Sequence, residues 1–301
     1  MKKVKHELLT ALSLVVAFVA EAIEPVGELP KLEDAKLETF LTEVYGKRPV
    51  ERPESLSFAE LYPTETFERE PVAGGKRKID AIRKMMVCRY KGPYGEDSFR
   101  FTVFLPKTAT AAKPAPAYVL ICNRNAGRNI DPWRDSQTGF WPAEEIVDRG
   151  YAAIAFWNDE VAPDCYDRDL AFKAGVFRCF EDPSKPRPAD AWGSLSAWAW
   201  GASRVMDWIE TEPLLDAKHV AVVGHSRGGK TALLAGVTDK RFAMTVSNCS
   251  GCGGAKLNHT DIPGAERIGD FVNNIRIRNA IYRIIANCTA KLYGFSSFLS
   301  F

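Results

Sequence analysis

The residue types best suited to chemistry cluster between His219 and Leu257, a stretch that reads HVAVVGHSRGGKTALLAGVTDKRFAMTVSNCSGCGGAKL. Within it, Gly224-His225-Ser226-Arg227-Gly228 is a G-x-S-x-G sequence, fed by the apolar run Val220 to Val223 and followed by the helix-compatible Lys230-Thr231-Ala232-Leu233-Leu234. A nucleophilic serine needs its hydroxyl raised above a sheet on a tight strand-to-helix turn. Glycines two before and two after it remove the side chains that would collide there. The same turn sets backbone N–H groups and the positive end of a helix dipole beside a developing oxyanion. Ser226 is therefore read as an acyl-transfer nucleophile, the alternative being a serine that only shapes a turn. His225 is not its base, because neighbours on so sharp a bend point apart; a turn or core role suits it better.

Arg227 follows the nucleophile, and its backbone N–H is the first expected oxyanion donor. Its side chain adds charge to the same pocket or reaches a substrate carboxylate or hydroxyl; a surface arginine at a helix start is the plainer alternative. The second donor is expected from the loop after Cys122, where Asn123-Arg124-Asn125-Ala126-Gly127 offers backbone and amide donors, Asn123 first among them. Lys230, taken alone, is a solvated helix lysine. Cys249-x-x-Cys252 has neither a second ligand pair at zinc-site spacing nor a thioredoxin-like helix start, so no metal is expected.

These groups need elements to hold them. Phe99, Phe101, Val103 and Leu105 alternate through Ser98 to Leu105 as in a half-buried strand, and KTATAAKPAP after it is a surface connection. Ala117 to Cys122 is a short continuous apolar run, as expected of a strand buried on both faces of a parallel sheet. Tyr151 to Phe156, Val220 to Val223 and Phe242 to Val246 repeat the pattern. Helical segments separate them: one ending at Arg149-Gly150, and a long one from Trp192 to Thr211 ahead of Pro213, with Leu195, Trp198, Ala202, Val205 and Ile209 on one stripe. Strand and helix in alternation give a doubly wound, mostly parallel sheet in a three-layer sandwich, and the G-x-S-x-G turn between strand and helix makes the expected fold an α/β-hydrolase. Leu37, Phe40, Leu41 and Val44 predict a further packed helix over Ala35 to Tyr45. The Asp-, Pro- and Arg-rich segment between Asp159 and Trp192 has no sustained period. It is either a wall of a substrate cleft or a surface excursion.

The whole chain, 301 residues with 46% apolar and 26% charged, suits one large α/β domain. Forty basic against 38 acidic side chains leave a formal charge of +2, which gives no ground for nucleic acid as a partner. Lys2, Lys3 and Lys5, the apolar run Leu8 to Ala20, and Ala20-Glu21-Ala22 read as a signal peptide over residues 1–22. Removal would leave no membrane anchor and a secreted or periplasmic protein; a buried helix or anchor is the alternative. Seven cysteines are compatible with an oxidising compartment, and their odd number leaves at least one unpaired in the expected monomer.

The string GHSRGGK, continued by AGVTDKRFAMTVSNCSGCGGAKL, resembles bacterial members of carbohydrate esterase family 15, the glucuronoyl esterases, whose motif is G-x-S-R-x-G-K. TGFWPAE at Thr138 to Glu144, RGYAAIAFWNDEVAPD and AWGSLSAWAWGASRVMDW are similar to the same family in the same order, so that the likeness runs from Val44 to Asn274. It implies a cofactor-free serine esterase acting on 4-O-methyl-glucuronate esters of xylan, with glucuronoxylan or lignin-carbohydrate esters as substrate. By position it implies Ser226 as nucleophile, Arg227 as oxyanion-stabilising arginine and Lys230 as a contact to the sugar hydroxyls. An acetyl xylan esterase or other serine esterase, and an inactive carbohydrate-binding relic, are the competing readings.

Two departures stand out. Cys249 occupies the position, 23 residues beyond Ser226, where some members carry the acid; a thiol cannot orient a histidine as a carboxylate does. The last histidine, His259, lies only 33 residues past Ser226 and before any further strand, so no catalytic base is found. The incomplete esterase domain is accordingly assigned to residues 23–274, with its last strands expected to be missing. IRIRNAIYRIIANCTAKLYGFSSFLSF, residues 275–301, is an atypical basic tail, read as a frameshifted or substituted ending; a divergent native helix is the alternative. Impaired or absent turnover is the consequence.

Overall fold

The computed structural model describes residues 41–42, 44–71, 77–165, 167–188 and 190–256. The signal peptide, most of the helix expected over Ala35 to Tyr45, His259, Cys288 and the basic tail lie outside the described residues.

Among the described residues seven strands form one sheet in the order β1-β2-β3-β5-β4-β6-β7: β1 Ser55–Arg69, β2 Ile79–Gly92, β3 Gly95–Pro106, β4 Ala115–Cys122, β5 Ala152–Trp157, β6 Leu215–His225 and β7 Met244–Asn248. The pairings β5 to β4, β4 to β6 and β6 to β7 are parallel, whereas β1, β2, β3 and β5 join antiparallel. Three of the four expected buried runs, in β4, β5 and β6, are the centre of this sheet; the fourth is not buried on both faces, because β7 stands at the edge of the described sheet with no buried residue and Met244 57% exposed. In β4 the last four residues, Val119 to Cys122, are all buried, and in β5 only Trp157 is not. β7 is the outermost described strand on its side.

Helices cover both faces. On one, α2 (Ala143–Asp148) sets Ala143 and Val147 against Phe104, Leu120 and Ala153. On the other, α6 (Ser194–Ile209) and α7 (Arg227–Thr238) pack against Val119, Ile121, Val220 and Val222. The chain leaves β4 toward the first face and β6 toward the second, so the loops after these neighbouring strands diverge. Such a switch point opens a crevice at the carboxyl ends of the strands.

The helix expected to show one apolar stripe is buried on every side: all sixteen residues of α6 are buried. Its charges survive there by pairing. Arg204 Nε lies 2.7 Å from Asp207 Oδ2, and Asp207 Oδ1 accepts from Arg241 at 2.8 Å. The indole N–H of Trp198 donates to Ala162 O at 2.8 Å. Buried charge is tolerated when each partner is supplied in this way. The segment between Asp159 and Trp192, expected as irregular, holds short helices, α3 Asn158–Val161, α4 Arg168–Ala171 and α5 Gly175–Phe180. The connection after β4 carries α1, Ala126–Asn129. Among the described residues no helix is long and apolar enough to cross a membrane.

Candidate active site

Ser226 is the residue between β6 and α7, and its backbone is unusual: φ is 55° and ψ is −119°. A non-glycine residue there is strained by about 1–3 kcal/mol, a cost met only when the surroundings impose it. Here they do. The Ser226 N–H donates to Asn248 O at the end of β7 (2.9 Å), and Ser226 O accepts the first helical bond from Lys230 N–H (3.1 Å). A Cβ on Gly224 would lie 1.9 Å from Gly228 O, and one on Gly228 would lie 2.9 Å from Ile121 O, so both flanking glycines are required by backbone. Although Ser226 is the N-cap of α7, its hydroxyl makes no capping bond, and the first turn of that helix holds no acid. The hydroxyl thus stands uncapped beside the positive end of a twelve-residue helix.

Arg227 does not extend into solvent. Its Nη1 and Nη2 each lie 2.9 Å from a different carboxylate oxygen of Asp164, in a fork-to-fork pair whose arginine side chain is 24% exposed and whose aspartate is 10% exposed. Asp164 N–H in turn donates to Asp159 Oδ1 at 3.0 Å. The segment flagged as a possible cleft wall therefore reaches the residue beside Ser226. Asp164 was missed in the sequence. The only signal was an excess of acids in a stretch without period, which gives no partner.

Asn123 is the first residue past β4, and its Oδ1 sits 3.2 Å from where a Gly228 Cβ would be, buried and without a hydrogen-bond partner among the described residues. An acceptor facing the turn does not stabilise an oxyanion, so donation falls to the amide nitrogen or to backbone N–H groups of this loop. Its neighbours are otherwise committed: Asn125 Oδ1 accepts from Arg128 N–H to cap α1 (2.9 Å), and Arg124 reaches His225 Nε2 (3.1 Å) while lying 4.8 Å over the Phe140 ring. Lys230, one turn beyond Ser226, is buried at 3% exposure. It is not the solvated lysine that its type alone suggests.

His225 packs edge-on against Phe140 at 5.9 Å between ring centres. Burial, and secondarily the Arg124 charge, hold its pKa below the ordinary histidine value. His219, the other histidine among the described residues, is exposed and bound through Nδ1 to Asp216 Oδ2 (2.7 Å) near the far end of β6. No hydrogen bond joins Ser226 to an imidazole among the described residues. Cys249 follows β7 as an exposed thiol on a backbone with φ of 46°, its Sγ 3.3 Å from Asn248 Oδ1. Cys88, Cys122, Cys165 and Cys179 are also free thiols. Among the described residues no group of three or more His, Cys, Asp or Glu side chains could hold a metal ion.

A central parallel sheet sandwiched by helices, with a strained serine between a buried strand and a helix, defines an α/β-hydrolase. A family model described as "Glucuronyl esterase, fungi" matches residues 95–261. The chain belongs to the glucuronoyl esterases, carbohydrate esterase family 15. It is 39% identical over 142 residues to "Carbohydrate esterase MZ0003" from an unknown prokaryotic organism, covering 47% of this chain and 31% of that one. It is 30% identical over 164 residues to the 4-O-methyl-glucuronoyl methylesterase of Podospora anserina, covering 54% and 29%. Among solved structures, a CE15 glucuronoyl esterase from Teredinibacter turnerae T7901 superposes with a TM-score of 0.66 at 27% identity, over 86% of this chain and 60% of that one. The glucuronoyl esterase from Solibacter usitatus gives 0.64 at 30% identity, over 83% and 66%. The matched regions thus span about a third of these curated relatives and under two thirds of these solved ones.

Proposed function

We propose that this chain carries the nucleophilic half of a serine carboxylic-ester hydrolase acting on uronate esters of xylan, of the 4-O-methyl-glucuronoyl methylesterase type. The observation that carries this is the Ser226 backbone, φ 55° and ψ −119°, held above the switch point between β4 and β6. Ser226 Oγ attacks the ester carbonyl, the tetrahedral adduct collapses with cleavage of the ester C–O bond, and the serine proton leaves with the released alcohol; water then hydrolyses the acyl-enzyme to the free uronate and restores the serine hydroxyl. The oxyanion is met by the Arg227 backbone N–H, the α7 dipole and donors of the 123–127 loop, with the Arg227 guanidinium, steadied by Asp164, adding positive charge. Lys230 serves the sugar hydroxyls. Glucuronoxylan or a lignin-carbohydrate ester is the substrate, and the lysine-led apolar N-terminus exports the protein to it.

Because no described imidazole addresses Ser226, a relic that binds glucuronoxylan without turning it over is the second reading. Hydrolysis of a benzyl glucuronate ester beside an acetyl ester, by the full chain and by Ser226→Ala, separates the possibilities. Loss of benzyl glucuronate cleavage in the variant supports the proposal. Failure of both esters while xylan oligomers still bind favours the relic, and preference for the acetyl ester points to an acetyl xylan esterase.

A further inference from the structure

A cavity of about 400 Å³ lies apart from the serine, between the β2–β3 turn and the segment that follows β5. Its lining combines ring faces with paired charges: Tyr94, Phe172, Glu181, Asp182, Lys185 and Arg187. The volume is that of a small-ligand site. Nothing in the serine chemistry above uses it.

The groove is rigidly built. The Arg187 guanidinium lies 3.8 Å over the Phe172 ring and holds Glu181 by two bonds of 2.8 and 3.0 Å. Phe172 meets Phe177 edge-on at 5.0 Å. Asp182 accepts from the Ser184 N–H (3.0 Å) and hydroxyl (2.7 Å) and pairs with Lys185 at 3.1 Å. Tyr94 is 47% exposed on a turn fixed by its own N–H to Cys179 O at 3.1 Å. The exposed Tyr94 ring beside pre-set donors and acceptors matches a ligand with an apolar ring face and a hydroxyl-bearing rim, which is a sugar. An apolar peptide would leave these ion pairs desolvated, and a neutral aryl group would not use them.

Its place in the sheet is informative. β3 pairs with β5 only through Phe101 to Phe104, so residues Gly95 to Arg100 run past the carboxyl end of β5, the same end that carries Ser226. Six residues at strand rise, and three strand spacings from β3 to β6, put the groove on the order of 20 Å from the serine. A small ester cannot touch both places, but a polysaccharide can.

We infer that this groove is a secondary glycan-binding site that holds a xylan chain remote from the scissile ester. The choice of xylan rests on the esterase proposal; the groove's affinity for sugar does not need turnover. The test is calorimetric titration of linear xylohexaose into the full chain, its Tyr94→Ala and Lys185→Glu single variants and the double variant, with melting temperature and benzyl glucuronate hydrolysis measured in parallel. Both positions are exposed, so the variants fold. The expected result is a Kd weakened about tenfold or more in the double variant, with melting temperature and small-ester rate unchanged. No xylohexaose binding by the parent chain, equal binding by parent and double variant, or preferential capture of an acidic peptide would overturn the inference. If the ester is not cleaved yet xylohexaose binds through Tyr94, the groove stands and the esterase proposal falls.

Discussion

The Asp164–Arg227 pair makes a quantitative expectation about a residue far from Ser226 in sequence. Removing the carboxylate by Asp164→Ala strips a partly buried guanidinium of two 2.9 Å charge-assisted bonds. Such bonds contribute about 1.5–3 kcal/mol when their partner is lost. Because the arginine is a quarter exposed, water recovers part of this, and a stability loss of about 1.5 kcal/mol is expected, a fall in Tm of a few degrees. If Asp164 positions the guanidinium for the oxyanion, kcat on benzyl glucuronate should drop further, by about ten- to a hundredfold, while KM moves little. The ceiling is the 10²–10³-fold cost of losing a whole oxyanion donor. Asp164→Glu, which keeps the charge, should restore part of kcat, and Arg227→Ala combined with Asp164→Ala should cost no more than Arg227→Ala alone. Additive losses in that double-mutant cycle, or a change confined to KM, would refute a positioning role.

Three other outcomes follow from the packing and charge described above. Gly224→Ala drives a Cβ to within 1.9 Å of Gly228 O and should cost about 3 kcal/mol or more in urea denaturation, whereas Gly139→Ala, which meets nothing within 4 Å, should stay within about 0.5 kcal/mol of the parent. Arg134, fully buried and held by Glu144 through bonds of 2.6 and 2.8 Å, should cost about 3–5 kcal/mol as Arg134→Met, and adding Glu144→Leu should recover much of it; equal losses for single and double variants would count against the pair. His225 has a folded pKa below 6.5, so the unfolded chain binds its proton first; stability is unaffected above that pH and falls as pH drops through 6.5 toward the folded value. His225→Gln should flatten that part of a Tm–pH curve, and an unchanged slope would discount the burial of its ring.

How much of this was legible depends on whether the information was local. The G-x-S-x-G turn and strands β4 to β6 announced themselves because a strand buried on both faces must be continuously apolar and the elbow must be flanked by glycine; β3 was legible from its alternation, and β7 from a short apolar run that proves to be an edge without a buried residue. β1 and β2 did not: β1 is mostly exposed, with Pro63 in its middle and irregular register, and inward-facing Arg83 breaks the alternation of β2. That arginine is buried because it donates to Pro132 O at 3.0 Å, pairs with Glu65 and lies 3.9 Å over the Trp133 ring, all of them distant partners. The charged positions of α6 were hidden for the same reason. Asp207 is buried through Arg204 nearby and Arg241 on a later turn. At the site, Arg227 could be nominated from its position after the serine, but its clamp by Asp164 is a contact across 63 residues that no spacing rule encodes.

The half-buried hydroxyl of Ser226, which makes no capping bond, can be tested by direct labelling. The full chain and Ser226→Ala should be treated with a fluorophosphonate, digested and mapped by mass spectrometry. A single adduct on the peptide containing Ser226, absent from the variant, is the expected result. Labelling of other residues alone, or equal labelling of parent and variant, would contradict a nucleophile at the end of β6.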